Sequence, residues 1–368
     1  MKIIFIFLLG LFLVEGLPIS EGKSVLIDMN RYQTISFDSL ISDMTCTILD
    51  KTPFDNCKNM IPHKDYLYFM GSTRSGNNVY IYDKTGKFLK EIIFPDALLV
   101  NSMCIVSEPE ELWVVSRFKI INKFKPDGTP IKKVTLPFPC AAIMPVDKQD
   151  FLVYSGGAHT ERGSIEGHFM ALTDFKSIQR LYMPAWGNDE WPFAPYSLFA
   201  TDKENTIFIL PDNTDTIYIY DRPTKEIQPY YSLGFHGNFL TKDKKPQSDK
   251  RMSEIITEKR YIHNIYSFFT ASNHFFFKLT GKRNDFCAIR REDNALFSFD
   301  RLFDHFRSAY VNPFVGADNE NLYLLARENE LAEHYMNIKC TYPVIRNLLP
   351  ALSVDGSRWV LLTIKIKG

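Results

Sequence analysis

The sequence predicts an all-β fold, a six-bladed β-propeller, and two observations lead to this prediction. The chain has 368 residues, of which 30 are Phe and 18 are Tyr, and aromatic side chains suit a pleated, half-buried sheet surface. A β-hairpin pattern also recurs along the chain at nearly even intervals. Intervals in the mid-forties match one four-stranded propeller blade, whereas a solenoid would have shorter repeats.

Each copy of the repeat reads as a short alternating strand, a turn containing Asp, Gly or Pro, and a second strand. Alternation buries one face of a strand, and the turn residues reverse the chain. The copies cover 78–95, 111–137, 168–184 and 216–233, and a fifth ends at 295–300. Their turn-side aspartates are Asp83, Asp127, Asp174, Asp221 and Asp300, at steps of 44, 47, 47 and 79 residues. The long step contains the polar segment 235–264, which we interpret as an insertion loop.

The ends of the chain predict how the ring closes. A sixth copy has strands at 314–317 and 321–326, followed by one short helix at about 328–337. The chain then ends in a strongly apolar strand, 359–366 (WVLLTIKI). An N-terminal strand at 24–29 (SVLIDM) has no blade of its own. We therefore predict that shared N- and C-terminal strands close the propeller, because closure removes exposed sheet edges. Residues 24–368 form a single propeller domain on this interpretation.

The first residues predict export. Lys2 precedes an apolar run of 12 residues at 3–14, too short for a membrane-spanning helix of about 20 residues but typical of a signal peptide. We expect a signal peptide at 1–16, with cleavage near Gly16; an uncleaved anchor is the alternative. No Cys lies directly after the apolar run, so we expect no lipobox cysteine. The expected location is periplasmic or extracellular, with no transmembrane segment after cleavage.

Four segments resemble a known family, the exported bacterial six-bladed β-propellers related to the NHL-repeat group. They are 66–92 (YLYFMGSTRSGNNVYIYDKTGKFLKEI), 215–235 (DTIYIYDRPTKEIQPYYSLGF), 312–327 (NPFVGADNENLYLLAR) and 355–368 (DGSRWVLLTIKIKG). The resemblance implies a six-bladed ring, export and often a lipid anchor, and the chain departs from it at the anchor. It brings no signature of catalytic residues.

Charge and cysteine content limit the possible partners. The 43 basic and 43 acidic residues balance, which argues against nucleic acid, since that ligand requires a basic face. The basic cluster 242–251 also contains Asp and Pro and is typical of a solvated loop. Export permits disulfides, and Cys46–Cys57 is the one pair close enough in sequence to suggest a bridge, although buried free thiols are the alternative.

Two loops are candidate ligand-binding sites. The first, 184–196 (PAWGNDEWPFAPY), combines aromatic rings with carboxylates, which suits glycans or cationic peptides; packing between blades is the alternative. The second, 156–168 (GGAHTERGSIEGH), has four glycines among ionisable groups, and a solvated hairpin is its alternative. A metal held by His159 and His168 is a weaker possibility. The candidate ligand-binding residues are Trp186, Asp189, Glu190, Trp191, Phe193, Tyr196, His159, Glu161 and Arg162.

The sequence carries no strong catalytic motif. It contains no HExxH, GxSxG, P-loop or GxGxxG pattern, so we predict a non-catalytic binding or scaffold protein of the cell envelope, without a cofactor. Its expected partner is a glycan, a peptide or an envelope protein. One alternative is a metal-assisted lactonase or lyase with a divalent cation in the central channel, held by side chains from several blades. Another is a structural subunit of an envelope assembly.

Overall fold

The computed structural model describes residues 24–74, 76–94, 100–155, 164–184, 197–211, 214–240, 254, 258, 261–283, 285–299, 314–337 and 351–368. These residues form six sheets, one for each blade of a β-propeller. The predicted signal peptide and most of the predicted insertion loop lie outside the described residues.

The N-terminal segment contains β1 (Val25–Asp28), β2 (Gln33–Thr34), a 3-10 turn (Phe37–Leu40) and β3 (Ile41–Ile48). Blade I has β4 (Asn56–His63), β5 (Tyr66–Thr73), β6 (Gly76–Asp83) and β7 (Phe88–Ile92). Blade II has β8 (Val100–Ser107), β9 (Glu110–Ser116), β10 (Ile120–Phe124) and β11 (Pro130–Thr135). Blade III has β12 (Ala142–Pro145), β13 (Phe151–Tyr154), β14 (His168–Thr173) and β15 (Ile178–Pro184).

Blade IV has β16 (Phe199–Thr201), β17 (Ile207–Ile209), β18 (Thr216–Asp221) and β19 (Glu226–Gly234). Blade V has β20 (Ile262–Ala271), β21 (His274–Gly281), β22 (Phe286–Arg290) and β23 (Ala295–Phe299). Blade VI has β24 (Phe314–Ala317), β25 (Asn321–Arg327), the helix α1 (Glu328–Asn337) and β26 (Trp359–Ile366), with β3 as its fourth strand. The predicted helix is thereby confirmed.

The apolar side chains form six buried clusters, one between each pair of neighbouring blades. Alternate residues of one strand serve two clusters, as β5 shows: Leu67 and Phe69 pack toward blade VI, and Tyr68 and Met70 toward blade II. Middle strands are therefore buried on both faces and read as continuous apolar runs. Adjacent blades hold each other in place through these clusters.

The predicted sharing of a blade by N- and C-terminal strands is confirmed, but the N-terminal strand was misassigned. It is β3 that pairs antiparallel with β26, from Val360↔Ile48 to Ile366↔Ile41. The segment 24–29 instead supplies β1, which adds parallel to β19 of blade IV. The physical reason is that Ile27 and Met29 fill the cluster between blades IV and V.

The turn aspartates cap the outer hairpins. The Asp83 carboxylate accepts hydrogen bonds from the backbone N–H groups of Thr85 and Lys87 at 2.8 and 3.0 Å, an Asx turn that fixes the reversal. Asp174 accepts equivalent bonds. In blade V the matching residue is Asp293, between β22 and β23, which accepts from the Ala295 N–H. The prediction of Asp300 as the turn aspartate of this blade is therefore wrong by one strand. Asp300 itself lies outside the described residues.

Five of the six cysteines lie within the described residues, and no disulfide joins any two of them. The suggested Cys46–Cys57 bridge is therefore wrong for this structure. Cys57, Cys104, Cys140 and Cys287 are buried among apolar side chains, and burial raises the pKa of Cys104 and of Cys287 to about 12. These four thiols behave as small hydrophobic residues.

Candidate functional site: the central channel

The innermost strand of every blade contributes to a cavity of about 420 Å³ on the axis of the ring. We call the end of the ring where these strands begin the upper end, and the end where they turn into the second strands the lower end. The strands are short and come from six distant parts of the chain, so the ring topology alone brings their residues together. The volume of the cavity falls within the usual range for small-molecule sites.

Most of the side chains that line the channel are uncharged, either apolar or polar. Aliphatic, Met and Phe side chains alternate around it with hydroxyl and amide groups, the polar members including Asn59, Ser102, Ser107, Thr201, Asn205 and Asn319. Such a surface contacts the C–H faces of a ligand while offering it hydrogen bonds. It provides little charge to attract an ion.

Some of the channel hydroxyls are already used inside the protein. The Ser197 hydroxyl donates to the Phe268 carbonyl at 2.7 Å, and Thr270 donates to the Thr201 carbonyl at 2.5 Å, which ties blade IV to blade V. Ser102 differs, because its buried Oγ has no hydrogen-bond partner within the described residues. An unpaired buried hydroxyl is costly, so Ser102 is the lining residue that would gain most if its side chain rotated to meet a bound partner.

The lower mouth of the channel carries a small charged cluster. His63 Nε2 lies 2.9 Å from Glu110 Oε1, and the Lys64 ammonium donates to the same oxygen at 2.6 Å. The bonds from Lys64 and His63 lower the pKa of Glu110. This cluster joins blade I to blade II and orients the His63 ring at the mouth.

The Asp318 carboxylate also lines the mouth, but hydrogen bonds from its own turn already occupy its oxygens. Its oxygens accept from the N–H groups of Glu320 and Asn321 and from the Tyr323 hydroxyl at 2.5 Å. A carboxylate with these donors is held in place and has little capacity left for a ligand. Its function here is to shape the turn between β24 and β25.

No three His, Cys, Asp or Glu side chains of the described residues are placed to hold one metal ion. His168, one of the two loop histidines considered above, lies with Nδ1 3.0 Å from the Glu166 carbonyl oxygen. His159 lies outside the described residues.

The candidate residues of both predicted loops also lie outside the described residues, and their ligand-binding role stays a prediction. They are Trp186, Asp189, Glu190, Trp191, Phe193, Tyr196, His159, Glu161 and Arg162. The flanking residues are described: Ala142 pairs with Tyr154, and His168 with Pro184, at the upper end of blade III. The strand ends that flank the two loops in blade III therefore lie at the upper end, opposite the mouth that carries His63.

Ion pairs between blades reinforce the lower end. Arg291 of blade V donates to Asp202 of blade IV at 2.8 Å, with side chains 15% and 7% exposed. Burial acts to raise the pKa of Asp202, but the hydrogen bonds from Arg291 and from the Thr206 and Glu204 N–H groups outweigh it, so this pKa is lowered. Lys225 makes a similar bond to Asp150 across blades III and IV, at 2.8 Å.

The ring of six sheets with an axial cavity defines the protein as a six-bladed β-propeller. The sequence profile of a family described as 6-bladed beta-propeller matches residues 19–325, and the chain belongs to that family. The predicted resemblance is confirmed in this respect; the relation to the NHL-repeat group stays a prediction. No curated protein sequence matches the chain significantly.

Several solved structures are similar to this chain at low sequence identity, and the one with the high TM-score shares its fold. A Bacteroides fragilis protein described as exported superposes with a TM-score of 0.72 at 15% identity, covering 94% of this chain and 100% of that one. Staphylococcus aureus virginiamycin B lyase with quinupristin gives 0.46 at 15% identity, covering 87% and 99%. A luciferin-regenerating enzyme gives 0.46 at 10% identity, covering 89% and 97%. Within the described residues, no helix has the length and apolar character to cross a membrane.

Proposed function

We propose that this propeller is an exported, non-catalytic binding protein whose central channel holds a neutral ligand bearing hydroxyl or amide groups. The observation that carries the proposal is the axial cavity of about 420 Å³, to which all six blades contribute apolar and neutral polar groups. Export is supported by the signal-like apolar run at 3–14 and by the fold shared with a protein described as exported.

The lining favours a neutral ligand for electrostatic reasons. Removing a charged group from water costs several kcal/mol unless an opposite charge compensates it. The described lining offers His63 and Asp318, and both already have partners: Glu110 for His63 and the turn donors for Asp318. A glycan or an uncharged peptide segment satisfies the hydroxyl and amide groups without that cost. The Ser102 hydroxyl is the polar anchor we assign to this ligand.

A thermal-shift screen tests the proposal with the mature protein and panels of neutral glycans, short peptides and divalent metals. A ligand at 100 times its dissociation constant stabilises the folded state by about 2.7 kcal/mol. We expect a shift from a glycan or peptide, a smaller one for Ser102→Ala, and none for Ser102→Phe, whose ring occupies the cavity.

Each of the two substitutions, Ser102→Ala and Ser102→Phe, also changes the stability of the fold. The melting temperature of each variant is therefore measured without ligand as well. A shift that Ser102→Phe leaves intact would place the ligand outside the channel. Stabilisation by a divalent metal alone would contradict the proposal and favour the metal-assisted lactonase or lyase alternative.

A further inference from the structure

The outer edge of blade III carries a groove distinct from the axial channel. Its volume is about 460 Å³, and it is lined by the outermost strand and its turn, from Phe175 to Leu181, together with Pro137, Phe138 and Glu166. Within the described residues β15 is the last strand of its sheet. A free strand edge presents unpaired backbone N–H and C=O groups that can template a further strand.

The chain shows on its neighbouring blades how such an edge is filled. In blade IV, β1 adds to the outer strand β19 in parallel, with Val25 opposite Tyr231 and Asp28 opposite Gly234. In blade V, β2 adds to β23, again in parallel, with Gln33 opposite Phe297. Two outer strands of this ring therefore accept an extended segment running in their own direction.

Blade III is better prepared for an added strand than blades I and II. The outer strand of blade II, β11, has Pro130, Lys132 and Lys133, residues that protect edges against pairing. The start of β7 in blade I is covered by Asp50, whose carboxylate accepts from the Phe88 N–H at 2.7 Å. Neither of these strands borders the groove described above. β15 also contains Arg180 and Pro184, but Arg180 is bound to blade IV and Pro184 is not part of the groove lining.

The groove edge is also held rigid. The Gln179 amide donates to Asp150 at 2.5 Å, and the Arg180 guanidinium binds Glu226 and the Thr224 carbonyl of blade IV. These bonds fix β15 before any partner arrives, so a partner strand would not have to order it. Preorganisation of this kind lowers the entropic cost of association.

Charges at the two ends of the groove differ in sign. Lys176 lies at the lower end of β15, in the turn that precedes this strand. Glu166 lies at the upper end, in the turn before β14. Neither Lys176 nor Glu166 forms an ion pair within the described residues. A parallel strand would begin near Lys176 and end near Glu166.

We propose that this groove binds an extended peptide of a partner protein, which adds to β15 as a parallel fifth strand. The peptide carries an acidic residue at its N-terminal end, opposite Lys176, and a basic residue at its C-terminal end, opposite Glu166. Alternate side chains between them are apolar or β-branched and face Phe138 and Phe175. Main-chain hydrogen bonds give the affinity and the end charges set the direction.

The test uses a fluorescent probe, tetramethylrhodamine-β-alanyl-Asp-Thr-Val-Thr-Val-Lys-amide, in anisotropy titrations with the mature protein. We expect a dissociation constant below about 1 mM and a loss of about tenfold or more on N-methylation of alternate backbone nitrogens, which removes ladder hydrogen bonds. The charge-reversed probe, with Lys first and Asp last, should bind about two- to fivefold more weakly, the effect of exposed ion pairs.

The double variant Lys176→Glu/Glu166→Lys is the matched control, because both positions are exposed turn residues that leave the buried core untouched. This variant should prefer the charge-reversed probe. Absence of binding up to about 1 mM, binding that N-methylation leaves unchanged, or an unaltered preference in the double variant would each overturn the proposal. None of these outcomes bears on ligand binding in the axial channel.

Discussion

Replacing His274 with Phe should stabilise the protein and reduce the loss of stability on mild acidification. His274 begins β21 and is 2% exposed, with its ring centroid 5.8 Å from Phe276 and 6.5 Å from Phe297. Within the described residues neither ring nitrogen has a hydrogen-bond partner. Burial, together with the charges of Arg290 and Arg291, lowers the pKa of His274 to about 4. Phe keeps the ring packing and removes the unpaired nitrogens.

The sign of the pH effect follows from the direction of this shift. An unfolded histidine titrates near pH 6.5, so the unfolded state takes up the proton first as the pH falls. Stability is therefore lost between about pH 6.5 and pH 4, and no further loss from this group occurs below pH 4. A shift of this size corresponds to at most about 3 kcal/mol across the window. Removal of the two unpaired nitrogens adds about 1 kcal/mol or more at pH 7.

Urea unfolding at pH 7.0, 5.5 and 4.5 measures both effects. His274→Phe should raise the free energy of unfolding at every pH, and its advantage over the wild type should grow as the pH falls. His236→Phe is the control, because that imidazole is 62% exposed and its replacement should not reproduce the growing advantage. If His274→Phe and the wild type lose stability in parallel, the burial argument is refuted.

Three further predictions concern the joints between blades and the upper loops. Asp202→Asn leaves Arg291 without its counter-charge and should cost about 3 kcal/mol, about 4 °C in a thermal melt; an unchanged melt would count against the inter-blade pair. Gly316→Ala places a Cβ 2.4 Å from the Met60 carbonyl oxygen, across blades VI and I, and should lower the free energy of unfolding by about 1–3 kcal/mol; an unaltered urea midpoint would mean that this joint yields. Trp191→Ala should weaken ligand binding in a titration while the melting temperature stays nearly constant, whereas a large drop in melting temperature would make Trp191 a packing residue.

The outer hairpins could be predicted because their two strands are adjacent in sequence and their turns use Asp, Gly and Pro. The innermost strands were harder. β4 has the sequence NCKNMIPH and β16 has only three residues, so neither shows apolar alternation. The reason is that the side chains of an innermost strand divide between two inter-blade clusters and the channel. The more strongly apolar runs before the outer hairpins are the second strands β5, β13, β17 and β21.

The channel site could not be predicted residue by residue. Its lining runs from Asn59 in blade I to Asn319 in blade VI, and no spacing rule links six single strands before the ring is known. Ser102 illustrates this, because nothing in VNSMCIVS marks one serine as unpaired. The fold had to be known before the hydroxyl could be assigned a role.

A crystal structure of the protein with the best ligand from the thermal screen tests the central claim most directly. The account predicts ligand density inside the channel, between the six innermost strands, with a ligand polar atom within hydrogen-bond distance of Ser102 Oγ. Ligand density confined to the outer surface of the ring, with none beside Ser102, would contradict it.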